Sequence, residues 1–322
     1  MNGERALQRP YRWRRYLKYF GLLLLSTPFT LFLVDNFFFQ GLGHPPPHLK
    51  IRGLFKPSPI VTGRFALIIN GGLSVEKNHA RYWNNTSLFY CTLKSLGWEQ
   101  IRVLQSDGLS SAPDRQKRSF MGIIGTGELM DSPLDLDGDG QNDVQGPATI
   151  EAIKKELKDI GQLMTANDTL FIVLTDHGQL RLQGSTVRSV AMLWGQEFYG
   201  RELDTWVKET IPADAWVSIL AAQCHSGIFI DEIKRDRTVL MASGWPLWIW
   251  SDQDYSVFPY RFCEALLRRS PLDGIPVPGD PNGDGFVSLG EAFSLAYKRD
   301  KVPEWPVRRI VGNMANVPKL YQ

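Results

Sequence analysis

Two apolar runs in this chain end in residues that could do covalent chemistry. TLFIVL at 169–174 is followed by Thr175-Asp176-His177-Gly178, and WVSILA at 216–221 by Ala222-Gln223-Cys224-His225-Ser226-Gly227. Continuous apolar runs of this length read as strands buried on both faces of a parallel sheet. In such sheets ligands bind beyond the carboxyl ends of the strands. A histidine and a cysteine on neighbouring strand ends would face each other across a cleft, where the thiolate attacks a carbonyl and the imidazole manages the leaving-group proton. Gly178 and Gly227 would let the backbone bend and bring N–H groups to a developing oxyanion. The opposing reading is a core cysteine and a surface histidine, because buried cysteines are commonly inert.

Two acidic loops suggest a second kind of chemistry. From Asp280 to Glu291 the chain fits the EF-hand loop at each ligand position. Oxygens come from Asp280, Asn282, Asp284, Ser288 and Glu291 and from the Phe286 carbonyl, and Gly285 makes the turn. Pro276 and Pro278 stand where an entering helix would be, so the loop reads as a single half-site. Asp135, Asp137, Asp139 and Asp143 repeat the first part of the spacing, but Gly146 takes the place of the bidentate glutamate. Calcium is expected at 280–291 in a structural rather than a sensing role. The 135–143 loop is either a second calcium site or a solvated turn.

The elements that must hold these residues alternate between strand and helix. RFALIIN at 64–70, ending in Gly71-Gly72, reads as a strand, and 101–104 and 238–242 as two more. A helix is predicted over 88–96, with Phe89, Leu93 and Leu96 on one face and Gly97 ending it. Ile150, Ile153, Leu157, Ile160 and Met164, at steps of 3, 4, 3 and 4, predict another helix. A further helix follows the second acidic loop, over 289–298. Buried strands separated by helices imply a three-layer α/β domain with a mostly parallel central sheet.

Composition narrows the function. With 322 residues, 43% hydrophobic and 22% charged, the chain is not disordered. A net charge of +2 gives no case for nucleic acid as a partner. Cys91, Cys224 and Cys263 are too few and too scattered for a disulfide framework or a CxxC motif.

The N-terminal end is of a different character. Residues 1–18 form a basic tail, 19–39 an apolar run of spanning length broken by Pro28 and Asp35, and 40–63 a Pro-rich linker containing His44-Pro-Pro-Pro-His48. These features predict a signal anchor, a single-pass helix with the tail in the cytoplasm and the body at 64–322 outside it. The alternative is secretion after signal cleavage. Asn84, Asn85 and Asn167 lie in glycosylation sequons, and Trp245, Trp248 and Trp250 form a cluster read as core or interface.

The wording of the two strand ends resembles the caspase-fold cysteine peptidases. FIVLTDHG followed by SILAAQCHSG is most similar to the legumain branch, which includes the catalytic subunit of the GPI transamidase. Further features agree in order: the opening strand FALIINGG, Arg81 sixteen residues before Gly97, the 150–164 helix leading to Asn167-Asp168-Thr169-Leu170, and TVLMASG at 238–244. The resemblance implies Cys224 as nucleophile, His177 as its acid/base partner, and the N–H groups of Gly178 and Cys224 as the oxyanion hole. It places Arg81 in the pocket for the residue before the scissile bond, where a guanidinium favours Asn or Asp. Ser243 and Asp252 or Asp254 are further pocket residues on the same ground. Three positions depart from the family pattern. Ala222 stands where an acid is usual, and His79 stands where an asparagine orients the histidine, with Asn78 one residue earlier. His225 is also atypical and is read as a solvent-facing turn residue.

These observations converge on a membrane-anchored, calcium-binding cysteine endopeptidase that acts on peptide or protein substrates outside the cytoplasm. A transamidase using the same acyl-enzyme is the first alternative. A catalytically inactive, calcium-stabilised binding module is the second.

Overall fold

The computed structural model describes residues 63–116, 128–244, 249, 251, 254–302 and 304–312. The basic tail, the apolar 19–39 segment, nearly all of the linker, and Trp245, Trp248, Trp250 and Asp252 lie outside these residues. Among the described residues no helix is long and apolar enough to cross a membrane.

The centre is a six-stranded sheet. In chain order its strands are β1 (Arg64–Asn70), β2 (Gln100–Gln105), β5 (Thr169–Thr175), β9 (Trp216–Ala222), β10 (Thr238–Ala242) and β11 (Val307–Val311). Their spatial order is β11-β10-β9-β5-β1-β2, parallel throughout except for β11, which runs antiparallel to β10. Beside it lie a short ribbon, β3 (Arg115–Gln116) with β4 (Leu129–Met130), and an antiparallel sheet of β6 (Gly178–Gln183), β7 (Thr186–Leu193) and β8 (Gln196–Tyr199).

Alternation along the strands divides the core in two. Ala66, Ile68, Phe171, Val173, Leu220, Val239 and Met241 face one layer. That layer holds α1 (Ala80–Ser95), α5 (Val257–Leu267) and α6 (Leu289–Arg299). Leu67, Ile69, Leu170, Ile172, Val217, Ile219 and Leu240 face the other, which holds α2 (Ile150–Leu163), α3 (Gly200–Thr210) and the short α4 (Ser226–Asp231). The mixed α/β architecture with a mostly parallel sheet covered on both faces is therefore as the apolar runs implied. Every residue of β5 and β9 is buried, which is why neither shows a polar alternation.

The elements depart from the sequence expectation in instructive places. The helix expected over 88–96 begins at Ala80, and its first turns bury Asn84, Asn85, Thr86 and Ser87 beside Tyr82 and Trp83, which hides the apolar period there. Asn84 donates to the Asp254 carbonyl at 2.9 Å, and Asn85 to Ser256 Oγ at 2.9 Å and Thr175 Oγ1 at 3.3 Å. α2 starts where its apolar spacing starts, with Thr149 as N-cap accepting from the Ala152 N–H, and Met164 is its C-cap. The antiparallel β6–β8 sheet, α3, α5 and β11 were not anticipated. β6 and β7 lack clean alternation because they are half-exposed and carry Arg181 and Arg188.

Candidate active site

Strand register brings the two candidate residues together. On adjacent parallel strands Thr175 pairs with Ala222. His177 and Cys224 each stand two residues further along the chain, past the last paired residues of these adjacent strands. The next residue, Gly178, packs so closely on the Gln223–Cys224 segment that a Cβ there would collide with the Cys224 carbonyl oxygen and crowd Gln223 Cγ. Only glycine lets the two loops approach in this way.

The three cysteines are unlike one another, and none is in a disulfide. Cys91 and Cys263 are buried, and burial pushes the Cys91 thiol up to about 12 and that of Cys263 higher still. Both are core thiols beyond the reach of substrate. Cys224 alone is partly exposed.

The imidazole of His177 is held from the β1–α1 segment. Its Nε2 lies 3.1 Å from the Lys77 carbonyl oxygen. The Tyr82 hydroxyl lies 3.3 Å from Nδ1 and 3.2 Å from Nε2, with the two rings edge to face at 4.9 Å. A carbonyl facing one ring nitrogen holds a proton there and leaves the other for chemistry. Burial pushes the Tyr82 phenol well above its usual range, against the pull of Arg81, and the charges of Asp176 and Cys224 add to the rise.

Arg81 and His79 complete this side. The Arg81 guanidinium is half-buried, donates to the Tyr82 hydroxyl at 3.0 Å and stacks 4.7 Å from that ring. It is thus tied to His177 through Tyr82. His79 is the N-cap of α1, its ring 6.2 Å from that of His177. Burial, with help from Arg81, His177 and Lys77, lowers its imidazole to about 3, so it stays neutral. Asn78 turns away, donating to Ser106 Oγ and the Asp114 carbonyl.

Several expectations need correction. The Gly227 N–H is spent on the Gly244 carbonyl at 2.9 Å, so it is not a donor for an oxyanion. His225 is no solvent-facing turn residue: it is buried, with φ +58, as the left-handed N-cap that turns the chain into α4. Asn84 and Asn85 are buried in α1 with their amides engaged, which leaves Asn167 as the exposed sequon. Ser243, at the end of β10, is fully buried, and its hydroxyl has no hydrogen-bond partner among the described residues. Sequence reasoning passed over Tyr82 and Lys77. A carbonyl leaves no trace in residue type, and a tyrosine beside an arginine reads as ordinary helix.

The acidic loops differ from each other. Carboxylate oxygens of Asp135, Asp137 and Asp143 come within 4.8 Å of one another. Lys94 Nζ sits on Asp137 at 2.5 Å and on Asp139 at 3.0 Å, and Tyr90 donates to Asp143 at 2.5 Å. At 280–291 no such convergence occurs. Asp280, Asn282 and Asp284 accept backbone N–H groups of their own loop, and Glu291 Oε2 accepts from Ser288 N–H and Oγ in a capping box. The Phe286 backbone N–H is engaged by Asp284.

No family model matches the chain, and no curated protein matches it. Among solved structures, protein GSU0716 from Geobacter sulfurreducens is similar with a TM-score of 0.48 at 10% identity, over 78% of this chain and 94% of that one. Caspase-1 from Spodoptera frugiperda is similar with a TM-score of 0.46 at 12% identity, over 81% of this chain and 93% of that one. Likeness at this level assigns no chemistry, which has to come from the chain's own residues.

Proposed function

We propose that this protein is a cysteine endopeptidase of caspase-like fold, related to the legumain branch, with Cys224 as nucleophile and His177 as its acid/base partner. The observation that supports the reading is the Thr175–Ala222 register, with His177 and Cys224 each two residues beyond that pair at the carboxyl ends of the adjacent strands β5 and β9. Cys224 Sγ attacks the substrate carbonyl carbon, and the tetrahedral oxyanion is received by the backbone N–H groups of Gly178 and Cys224. Collapse breaks the C–N bond, and His177 delivers the proton to the leaving amine. Water, deprotonated by the same imidazole, then cleaves the thioester and regenerates the thiol. Lys77 and Tyr82 orient the ring throughout. Arg81, linked to His177 through Tyr82, would select Asn or Asp before the cut.

Calcium belongs to the same proposal as a structural ion. The three convergent carboxylates favour the 135–143 loop, where Lys94 competes for two of the acids. At 280–291 a calcium ion would have to draw Glu291 away from Ser288. Anchoring through 19–39 and action outside the cytoplasm remain part of the reading on sequence grounds.

The test is cleavage of a peptide library varied at the residue before the cut, by the wild type and by Cys224→Ala. Cleavage after Asn or Asp that disappears in the variant supports peptidase and selector together. Cleavage after other residues keeps the Cys–His pair and removes Arg81 from the pocket. Products joined to an added amine identify the transamidase. Absence of both, with no labelling of Cys224 by a thiol-directed probe, leaves the inactive binding module.

A further inference from the structure

Asp176 lies between the end of β5 and His177, and nothing in the two-residue chemistry uses it. Its backbone has φ +118, a region that side-chain-bearing residues rarely enter. Its carboxylate is fully buried: Oδ2 accepts the Gly72 N–H, while Oδ1 has no hydrogen-bond donor of normal geometry. That bare oxygen lies 3.7 Å from His177 Nε2. A buried carboxylate with one naked oxygen is costly unless a cation answers it.

The groups around it narrow the choice of cation. Lys77 and His79 belong to the β1–α1 segment, Arg81 and Tyr82 to α1, and Cys224 to the β9 end. His79 is kept neutral down to about pH 3 and Tyr82 is kept protonated, so neither answers the charge. Arg81 acts from beyond the Tyr82 hydroxyl, and its pull on Asp176 is weaker than that of His177. Burial pushes the Asp176 acid up to about 6, the His177 charge opposes this most strongly, and the N–H groups of Gly72 and His177 also oppose it.

We infer that Asp176 is a positioning residue for His177, its Oδ1 charge facing the imidazolium across 3.7 Å while the Lys77 carbonyl accepts the Nε2 N–H, and thereby favouring the thiolate form of Cys224. This rests on the Cys–His reading above. The strained backbone aims one oxygen at the Gly72 N–H and leaves the other for the ring. A purely structural role would need only the Gly72 bond.

The experiment is the rate of Cys224 alkylation by iodoacetamide between pH 5 and 9, read by mass spectrometry on the whole chain. It is run on wild type, Asp176→Asn and His177→Ala. Asn keeps the shape and an oxygen for the Gly72 N–H but loses the charge. In the wild type the midpoint is expected below the ordinary value of about 8.5. His177→Ala should return it to that value, and Asp176→Asn should raise it by about one pH unit, a tenfold loss of rate on the acid side. Should Asp176→Asn not fold, the wild-type profile decides alone: its slope should steepen below about pH 6 as the acid titrates. An Asp176→Asn midpoint equal to wild type, or a wild-type slope of one down to pH 5 where that variant fails to fold, overturns the inference and leaves Asp176 as a backbone cap. A midpoint unmoved by His177→Ala removes the Cys–His pair, and the inference falls with it.

Discussion

The two acidic loops share the pattern D-x-[DN]-x-D-G, and the fold uses them differently. In each, the first aspartate accepts the N–H of the sixth residue at 2.8 Å, and that residue is a glycine at φ +88 in one and +87 in the other. The turn is therefore the same object twice, made by local Asx bonds. Beyond the turn the two loops diverge. At the ninth position the 135–143 loop has Asp143, buried against α1 and bonded to Tyr90 and to the Leu136 N–H, which draws a third carboxylate inward. The later loop has Ser288 there, the N-cap of α6, and its glutamate closes the cap. The fuller sequence match thus belongs to the loop whose three carboxylates do not come together. A motif specifies a turn, whereas convergence depends on what the loop is packed against.

Asp143→Ala should break the contrast most severely. It leaves the Tyr90 hydroxyl and the Leu136 N–H unpartnered, at a cost of about 2–4 kcal/mol in denaturant unfolding. Calcium comes next. At about a hundredfold excess over its dissociation constant a single site stabilises by about 2.7 kcal/mol. We expect that gain, read as a calcium-dependent rise in Tm, to vanish in Asp135→Asn and to survive in Asp280→Asn. The reverse result would invert the comparison.

Acid should act through the strand ends before it acts through either loop. The folded state holds the His79 imidazole near 3, against about 6.5 unfolded, so the unfolded chain binds the extra proton between those values and stability falls as pH falls. The His79 share of the loss is about 2 kcal/mol between pH 7 and pH 5, opposed by the Asp176 acid, which is held up to about 6. His79→Gln should therefore make stability rise by about that amount at pH 5 relative to pH 7 when compared with wild type in urea unfolding. In the 135–143 loop the Gln141 N–H and Lys94 hold the Asp139 carboxyl below its usual range. Its contribution is present above about pH 4 and fades only below that. The smallest change is Ser288→Ala, about 1 kcal/mol for a lost cap in thermal unfolding. Glu291→Gln sharpens the point: nearly silent if the residue only caps, but abolishing calcium stabilisation if it is a ligand.

The candidate site was legible where chemistry sits in side chains at the ends of apolar runs. His177, Gly178 and Cys224 stand out because β5 and β9 are buried on both faces and so are written as unbroken hydrophobic stretches. The first turns of α1 were not legible. Asn84 and Asn85 are buried by hydrogen bonds to the chain near 254–256, and a helix stabilised in that way carries no apolar period. His225 was misread for a related reason: its left-handed conformation and burial follow from the turn into α4, which residue type does not express.

What the sequence determined by itself is the alternation of buried strands and helices, the residues at the strand ends and the two acidic turns. Each depends on hydrophobic period or on bonds within a few residues. Tertiary structure alone decided that Thr175 pairs with Ala222, that Lys77 and Tyr82 close on His177, and that Lys94 answers one acidic loop. Those contacts join residues 43 to 100 positions apart. Their energies depend on packing and desolvation, which no local pattern encodes.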